Sequence, residues 1–232
     1  TKYYWTVTVG EKTSMIYDFT THDVAPRNIY VEGVTNVRDI GGWVTENGNR
    51  TKQGLVYRCA RLNESVDNGS SVIIIENGKK VMLNDLGIKT EIDVRRAAKG
   101  ETGGLTASPL GDTVKYLNFP MDHANDILND NKTEIINFFS TLADEENYPM
   151  IIHCSVGCDR TGMLVFMVNA LLGVPEEDLI RDYMFSNFAN VDNKRKVETL
   201  KSTAYYQAIT FAEGDTLSEK AYNCLSDFGV PT

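Results

Sequence analysis

The segment from Met150 to Leu172 constrains the fold of this chain of 232 residues more than any other. It begins with Met150–Ile152, three apolar residues that predict a short buried strand, and ends with Thr161–Leu172, whose apolar pattern predicts a helix. The residues between them are mostly small or polar and include a glycine. A loop that runs from a strand into a helix N-terminus points several backbone N–H groups at one spot, so this segment predicts an anion-binding loop.

The side chains of this loop predict nucleophilic chemistry on a phosphoryl group. Cys154 stands at the start of the loop, where the amides, the helix dipole and Arg160 would stabilise its thiolate. Arg160 follows after five intervening residues, and its planar guanidinium suits two phosphoryl oxygens at once. Thr161 can donate its hydroxyl to the sulfur when water attacks a phosphocysteine, and Gly157 is expected where a side chain would not fit. The backbone N–H groups expected to bind the phosphoryl oxygens belong to Ser155, Val156, Gly157 and Cys158.

Two other interpretations of this loop are open to the sequence. Cys154 could be an inert buried thiol and Arg160 a surface charge. The His, Gly, Arg and Thr that stand with them at fixed spacing disfavour this interpretation. A zinc site at Cys154 and Cys158 lacks a second ligand pair nearby. We therefore predict neither a metal nor a cofactor.

Composition excludes several classes of protein. Lys and Arg number 23 against 32 Asp and Glu, so the net charge is −9. This sign argues against a nucleic-acid-binding face, which would need a basic stripe. Four cysteines are too few for a disulfide framework. The longest apolar runs fall far short of the roughly 20 residues that span a bilayer, so no transmembrane segment is predicted.

Short β segments alternate with helical ones along the chain, which predicts an α/β fold with helices on the faces of a sheet. The segment 76–86 is ambiguous, since Asn77-Gly78 suits a hairpin turn while Val81, Met82 and Leu86 followed by Gly87 favour a helix, which we prefer. The other predicted strands are 55–59, 91–94 and 114–119, and the other predicted helices are 131–143, 175–186 and 218–227.

The loop resembles the signature of the cysteine-dependent protein tyrosine phosphatase superfamily, and the chain resembles its bacterial atypical tyrosine/serine phosphatases. Similar motifs stand at Asn36–Gly42, Gly54–Leu62, Leu86–Arg95 and Asp182–Asn187, so the resemblance covers about residues 30–187. It implies the protein-tyrosine-phosphatase-like α/β fold, with a central, mostly parallel sheet flanked by helices on both faces. It also implies a phosphocysteine intermediate without a metal.

A general acid must protonate the leaving phenolate or alkoxide, and three aspartates are candidates. Asp159 ranks first, because it lies inside the loop as it does in the family resembled. Asp93, at the end of a predicted strand, ranks second. Asp122 ranks third, because it follows the predicted strand 114–119, where more typical tyrosine phosphatases carry a mobile acid loop.

The chain departs from the family at Cys158, where relatives usually have a lysine, and this weakens a phosphoinositide interpretation. Cys158 and Cys59 are interpreted either as small apolar fillers or as resolving thiols that trap an oxidised Cys154 as a disulfide. Arg38 is expected at the substrate loop, paired with Asp39 and bracing the loop from behind.

The remaining residues near the motifs are predicted either to support the structure or to lie at the rim of the pocket. His153 is expected to order the loop backbone by hydrogen bonding, and Tyr183 and Phe185 to belong to the core or the pocket wall. The basic residues after the predicted strands form either a cationic rim or solvated strand ends: Arg58, Arg61, Arg95 and Arg96.

The N-terminal residues 1–25 predict a β-hairpin, because β-branched and aromatic residues flank a turn at Gly10. The hairpin is either a remnant of a preceding β-sandwich or part of the following domain, residues 26–232. The missing initial methionine and the acidic, Asn- and Tyr-rich composition favour a bacterial protein that is secreted or at the cell surface, with the cytoplasm as the alternative.

Together these patterns predict a metal-independent phosphomonoesterase. Its expected substrates are phosphotyrosine proteins, phosphoserine or phosphothreonine proteins, or small phosphomonoesters, with phosphate as the product. The alternatives are a phosphoinositide or inositol phosphate phosphatase, and a catalytically silent phosphate-binding module.

Overall fold

The computed structural model describes residues 2–22, 24–63, 73–122, 128–189 and 194–231. Within these ranges the strands are β1 (Lys2–Trp5), β2 (Thr8–Val9), β3 (Lys12–Thr13), β4 (Tyr17–Thr20), β5 (Arg27–Asn28), β6 (Arg38–Asp39), β7 (Val56–Cys59), β8 (Thr90–Asp93), β9 (Lys115–Asn118) and β10 (Met150–His153). The α-helices are α1 (Glu76–Lys80), α2 (Lys132–Leu142), α3 (Arg160–Leu171), α4 (Glu176–Phe185), α5 (Val197–Lys201), α6 (Ala204–Thr210) and α7 (Leu217–Phe228).

The central sheet has six strands in the order β5-β6-β7-β10-β8-β9. The strands β7, β10, β8 and β9 are parallel, whereas β5 and β6 continue the β7 edge as antiparallel strands. The predicted α/β fold with a mostly parallel sheet is therefore confirmed.

Strand register brings three chain segments together at one edge of the sheet. His153, the last residue of β10, is level with Cys59 at the end of β7 and with Asp93 at the end of β8. In an open α/β sheet the carboxyl ends of the strands are where ligands bind. The loop after β10 therefore starts between the ends of β7 and β8.

Helices cover both faces of the sheet, as predicted. Met150 and Ile152 point into the larger core, to which helices α2 to α7 contribute side chains. Ile151 points to the other face and joins a smaller core with Met82. Met82 lies in a π-helical turn, Val81–Asp85, that continues α1, so the helical interpretation of this segment is confirmed.

Helix α3 is buried along almost its whole length, from Arg160 to Ala170. Because both sides of this helix are covered, its sequence is apolar all round rather than amphipathic. Such a helix leaves little room for movement of Arg160 at its N-terminus.

The N-terminal hairpin is present. Strands β1 and β4 are antiparallel, with Tyr3 opposite Phe19 and Trp5 opposite Tyr17. Both aromatic pairs stack, with ring centroids 5.3 and 4.9 Å apart, and their side chains are exposed. The proposed domain division at residue 25 stays a prediction.

The sequence does not predict β5, β6, α5 or α6. The two strands have only two residues each, and the two helices are too short to show a clear period. Residues 63–71, which are mostly polar in sequence, lie largely outside the described residues. In the part of the chain that the structure describes, every helix is too short or too polar to cross a bilayer.

Candidate active site

The predicted anion loop lies between β10 and α3. Cys154 follows the last residue of β10 with its side chain buried, and Arg160 is the first residue of α3. The Arg160 Nη2 group approaches the Ser155 hydroxyl at 3.4 Å, which closes the loop on itself. The structure thus brings together Cys154, Arg160 and the backbone N–H groups between them.

Gly157 is needed in this loop for two reasons. Its φ of +69° lies in the left-handed region that side chains disfavour, and a Cβ added there would lie 2.2 Å from the carbonyl oxygen of Cys59. The loop therefore packs directly on the backbone at the end of β7.

The underside of the loop is held by two side chains that donate to its carbonyl groups. Asn36 Nδ2 donates to the carbonyl oxygens of Val156 and Gly157, both at 3.1 Å. Arg58 Nη2 donates to the Gly157 oxygen at 2.6 Å. With these carbonyl groups engaged from below, the loop conformation is fixed before any ligand arrives.

Asp182 on α4 organises this support. Its Oδ1 accepts from Arg38 Nε at 2.7 Å and its Oδ2 accepts from Arg58 Nη1 at 2.5 Å. Arg38 also donates to the side chain of Asn36. Burial raises the pKa of Asp182, but the two guanidinium groups outweigh burial, so that its pKa is lowered. The result is a buried network that joins α4, β6 and β7 to the loop.

Several predictions about arginines are corrected by this network. Arg38 does brace the loop from behind, but its partner is Asp182, while Asp39 accepts from the backbone N–H groups of Gly41 and Gly54 at 2.9 and 2.7 Å. The Arg38 side chain is fully buried among these partners, and its contact with substrate stays a prediction. Both interpretations of Arg58, Arg61 and Arg95, as a cationic rim or as solvated strand ends, are wrong, because all three side chains are buried.

Arg160 is positioned by Glu101, a residue that the sequence analysis missed. Arg160 Nη1 donates to Glu101 Oε2 at 2.7 Å and to the Met121 carbonyl oxygen at 3.1 Å. Arg96 donates to Glu101 as well. Burial raises the pKa of Glu101, but Arg96 and Arg160 outweigh burial and bring the pKa to about 2. Glu101 is therefore a carboxylate throughout the neutral range.

The Cys154 sulfur is the one loop thiol whose environment favours the thiolate. Burial raises its pKa, but Arg160 and the hydroxyl and N–H of Thr161 outweigh burial, so that the pKa is lowered. The Thr161 hydroxyl is buried and has no oxygen or nitrogen partner among the described residues. Burial raises the pKa of both Cys158 and Cys59. Both lie in the interior, as apolar fillers would, and their redox role stays a prediction.

His153 is held beneath the loop by two carboxylates. Its Nε2 lies 2.9 Å from Glu91 Oε1, and its Nδ1 lies 3.4 Å from the Cys154 carbonyl oxygen. Burial lowers the pKa of His153, but Asp93 and Glu91 outweigh burial, so the pKa is raised. The backbone contact to Cys154 agrees with the ordering role predicted for His153.

His153, Glu91 and Asp93 are also the set of described side chains whose spacing suits a metal ion. Their donor atoms are already engaged, because Asp93 accepts from Arg95 through both oxygens and Glu91 accepts from Ser108. An ion-pair network accounts for this cluster, and Cys154 lies outside it.

The three candidate acids occupy different environments. Asp159 is in the loop with 34% of its side chain exposed, and its Oδ2 lies 2.9 Å from Arg195 Nη2. Asp93 is fully buried, and although burial raises its pKa, His153 and Arg95 outweigh burial and lower it. Asp122 is 53% exposed and pairs with Arg96 at 2.5 Å.

Two aromatic residues and two charged ones complete the surroundings. Tyr183 belongs to the larger core, and Phe185 stacks against the Arg38 guanidinium at 5.6 Å.

Arg195, like Glu101, was not singled out by the sequence. Both lie far from the motif along the chain, and a charged residue outside a motif carries no signal of its contacts.

Comparison with known proteins places this site in a family. A sequence profile described as the tyrosine phosphatase family matches residues 29–223. One relative is a Cupriavidus necator protein that carries the name of a tyrosine-protein phosphatase. It is 24% identical to this chain over 183 residues, which is 73% of this chain. The chain spans 64% of the length of that relative.

The chain is also similar to solved structures. The P. aeruginosa protein TpbA is 18% identical with a TM-score of 0.44, and the match covers 75% of this chain and 90% of TpbA. The core catalytic domain of the PP-IP phosphatase SIW14 from S. cerevisiae is 14% identical with a TM-score of 0.45, covering 89% of this chain and 97% of that domain. The profile match extends over most of the chain and includes the whole loop, and this chain therefore belongs to the tyrosine phosphatase family.

Proposed function

We propose that this chain is a metal-independent phosphomonoesterase that works through a phosphocysteine. The observation that carries the proposal is the buried Cys154 thiol, whose pKa is lowered by Arg160 and Thr161 at the start of an anion-binding loop. A stabilised thiolate is a nucleophile, and the donors that stabilise it are placed to bind a phosphoryl group as well.

In the first step the Cys154 thiolate attacks phosphorus, an S–P bond forms and the P–O bond to the leaving group breaks. The loop N–H groups and Arg160 hold the equatorial oxygens, where charge accumulates in the transition state. Arg160 Nη1 is engaged by Glu101, while its buried Nε has no partner among the described residues. That free donor supports a role for Nε in binding the phosphoryl group.

Asp159 protonates the leaving oxygen in this mechanism. Its place in the loop and its partial exposure support the assignment. Asp93, the second candidate, is fully buried between Arg95 and Tyr116, so it suits a positioning role and not proton transfer to a substrate. Asp122 remains the candidate to test against Asp159.

In the second step water attacks the phosphocysteine and the S–P bond breaks. Asp159, now a carboxylate, accepts the proton of the attacking water. The Thr161 hydroxyl donates to the departing sulfur, which the absence of another hydrogen-bond partner among the described residues supports. Inorganic phosphate then leaves.

The expected substrates are phosphotyrosine proteins, with phosphoserine or phosphothreonine proteins and small phosphomonoesters as further substrates. Cys158 occupies the position of the usual lysine, and the Arg195 cation nearby is paired with Asp159. The loop thus carries less excess positive charge than a polyanionic phosphoinositide would favour.

Secretion or a cell-surface location is part of the proposal, and fractionation of the native host would test it.

Hydrolysis of p-nitrophenyl phosphate and of a phosphotyrosine peptide between pH 5 and 7 tests the function. Cys154→Ser should abolish both activities, while Cys224→Ser, a matched cysteine outside the loop, should leave them unchanged. Phosphate bound by an inactive wild-type chain would instead identify a silent binding module. Faster hydrolysis of a short-chain phosphoinositide than of the peptide would overturn the substrate assignment.

The acid is tested by comparing a good and a poor leaving group, p-nitrophenyl phosphate and phenyl phosphate. Asp159→Asn should slow the second ester far more than the first, since the poorer leaving group needs the proton more. Asp122→Asn is the comparison. A leaving-group effect at Asp122 and none at Asp159 would transfer the role to Asp122.

A further inference from the structure

Arg195 contacts the loop aspartate from a distant part of the chain. Its Nη2 lies 2.9 Å from Asp159 Oδ2, and only 11% of the Arg195 side chain is exposed. A salt bridge between two fully exposed side chains would be weak and would hardly restrict the position of either one. Here the guanidinium is largely buried, so its position is restricted.

Asn187 fixes the backbone of Arg195 through both ends of its side-chain amide. Its Oδ1 accepts from the Arg195 N–H at 2.6 Å, and its Nδ2 donates to the Arg195 carbonyl oxygen at 2.9 Å. Lys194 Nζ donates to the Asn187 carbonyl oxygen at 2.9 Å. These three bonds set where the Arg195 side chain begins.

The Asn187 clamp belongs to the same helix end that supports the underside of the loop. Asn187 lies in the 3-10 turn Ser186–Phe188 that directly follows α4. Ser186 accepts from Arg38 at 3.2 Å, and Asp182 on α4 holds Arg38 and Arg58. One end of α4 thus reaches the loop twice, from below through Asp182 and from the side through Asn187 and Arg195.

We propose that Arg195, fixed by Asn187, is a positioning residue that orients the Asp159 carboxylate for proton transfer. The inference rests on the proposed function of Cys154 and Asp159. A partly exposed aspartate samples several rotamers, and holding one carboxylate oxygen restricts rotation, so the other oxygen has a defined place. In this role the guanidinium acts on the acid and does not bind the phosphoryl group.

A second role for Arg195 would have a different signature. If Arg195 bound the phosphoryl group, its loss would weaken vanadate inhibition and slow all esters equally. If Arg195 only orients Asp159, vanadate binding should be unchanged and the loss should grow as the leaving group becomes poorer.

The experiment compares Arg195→Met, Arg195→Lys and Asn187→Ala with Arg181→Met. Arg181 is an exposed arginine on α4 whose ion-pair partner among the described residues is its helix neighbour Asp178. Arg195→Met and Asn187→Ala should reduce kcat about tenfold more for phenyl phosphate than for p-nitrophenyl phosphate. This difference corresponds to the loss of part of the general-acid contribution to the rate. Inhibition by vanadate should change less than twofold in both, and Arg195→Lys should restore part of the rate. Arg181→Met should match the wild type.

The pairing is tested in the Asp159→Asn background, where Arg195→Met should cause no additional leaving-group effect. Equal losses for both esters, weaker vanadate inhibition, or an additive leaving-group effect in the double variant would each overturn the proposal. If Arg195→Met does not fold, Asn187→Ala carries the same comparison. A wild-type chain without esterase activity, or activity that survives Cys154→Ser, would overturn the proposed function instead.

Discussion

Arg160 donates to Glu101 at 2.7 Å across 59 positions of the chain, and both side chains are almost completely buried. The contact holds one arm of the guanidinium, while the Nη2 arm faces Ser155 in the loop. Since the pKa of Glu101 is about 2, this partner stays charged at every pH of interest. Glu101 therefore sets the direction in which Arg160 presents its remaining donors.

Replacing Glu101 by Gln should reduce kcat/KM for p-nitrophenyl phosphate by about 10- to 100-fold, because small misplacements of a binding group are costly. Inhibition by vanadate should weaken in parallel, because Arg160 is expected to bind the corresponding oxygens of the substrate phosphoryl group and of vanadate. Glu46→Gln, at an exposed position, is the control. An unchanged vanadate inhibition constant in Glu101→Gln would contradict this role.

Replacing Asp182 by Asn should destabilise the fold by about 3–5 kcal/mol, the usual cost of breaking a buried ion pair from one side. Arg38 and Arg58 would both lose the carboxylate that balances their buried charge. Urea denaturation followed by tryptophan fluorescence measures the free energy of unfolding. Glu177→Gln, an exposed position on the same helix, should change it by less than about 0.5 kcal/mol. A similar small change in Asp182→Asn would show that the network contributes little.

The sequence predicts the loop well because its parts are local. Cys154, Gly157 and Arg160 lie within one strand–loop–helix unit, so their spacing alone determines how they converge. Strands and helices of ordinary length were predicted for the same reason, since each shows its own period over several residues.

The support of the loop could not be predicted, because it depends on pairs far apart in sequence. Arg38 and Arg58 reach Asp182 across 144 and 124 positions. A basic residue at the end of a strand is ordinarily interpreted as solvent-facing, and only the folded arrangement of β6, β7 and α4 makes these two arginines interior. The pairing of Arg38 with Asp39 was wrong because adjacent residues in a strand point to opposite faces.

Alkylation by iodoacetamide should distinguish Cys154 from the other cysteines by its pH dependence. The pKa of Cys154 is lowered by Arg160 and Thr161 despite burial, whereas burial raises the pKa of Cys59, Cys158 and Cys224. Because the thiolate is the reactive form, Cys154 should be modified first as the pH rises from acid, and vanadate should protect it.

Peptide mass mapping of the alkylated protein measures this order directly. Arg160→Met removes the cation that lowers the Cys154 pKa, so the alkylation curve should move to higher pH. Arg50→Met, an exposed arginine outside the loop, should leave the curve in place. Equal reactivity of all four cysteines at each pH would contradict a stabilised thiolate.

Gly157→Ala tests whether the close contact between the loop and β7 is required for phosphate binding. The new Cβ would lie 2.2 Å from the Cys59 carbonyl oxygen, and that oxygen belongs to a strand paired with β10, which cannot move without disturbing the sheet. The loop must therefore shift, and vanadate inhibition and esterase activity should fall by about 100-fold. Gly48→Ala is the matched control, because Gly48 also has a positive φ, +81°, but an added Cβ there meets nothing within 4 Å. It should cost about 1 kcal/mol of stability from the backbone conformation alone, with full activity. If both variants lost stability equally and kept their activity, the close packing of Gly157 on β7 would have no role in ligand binding.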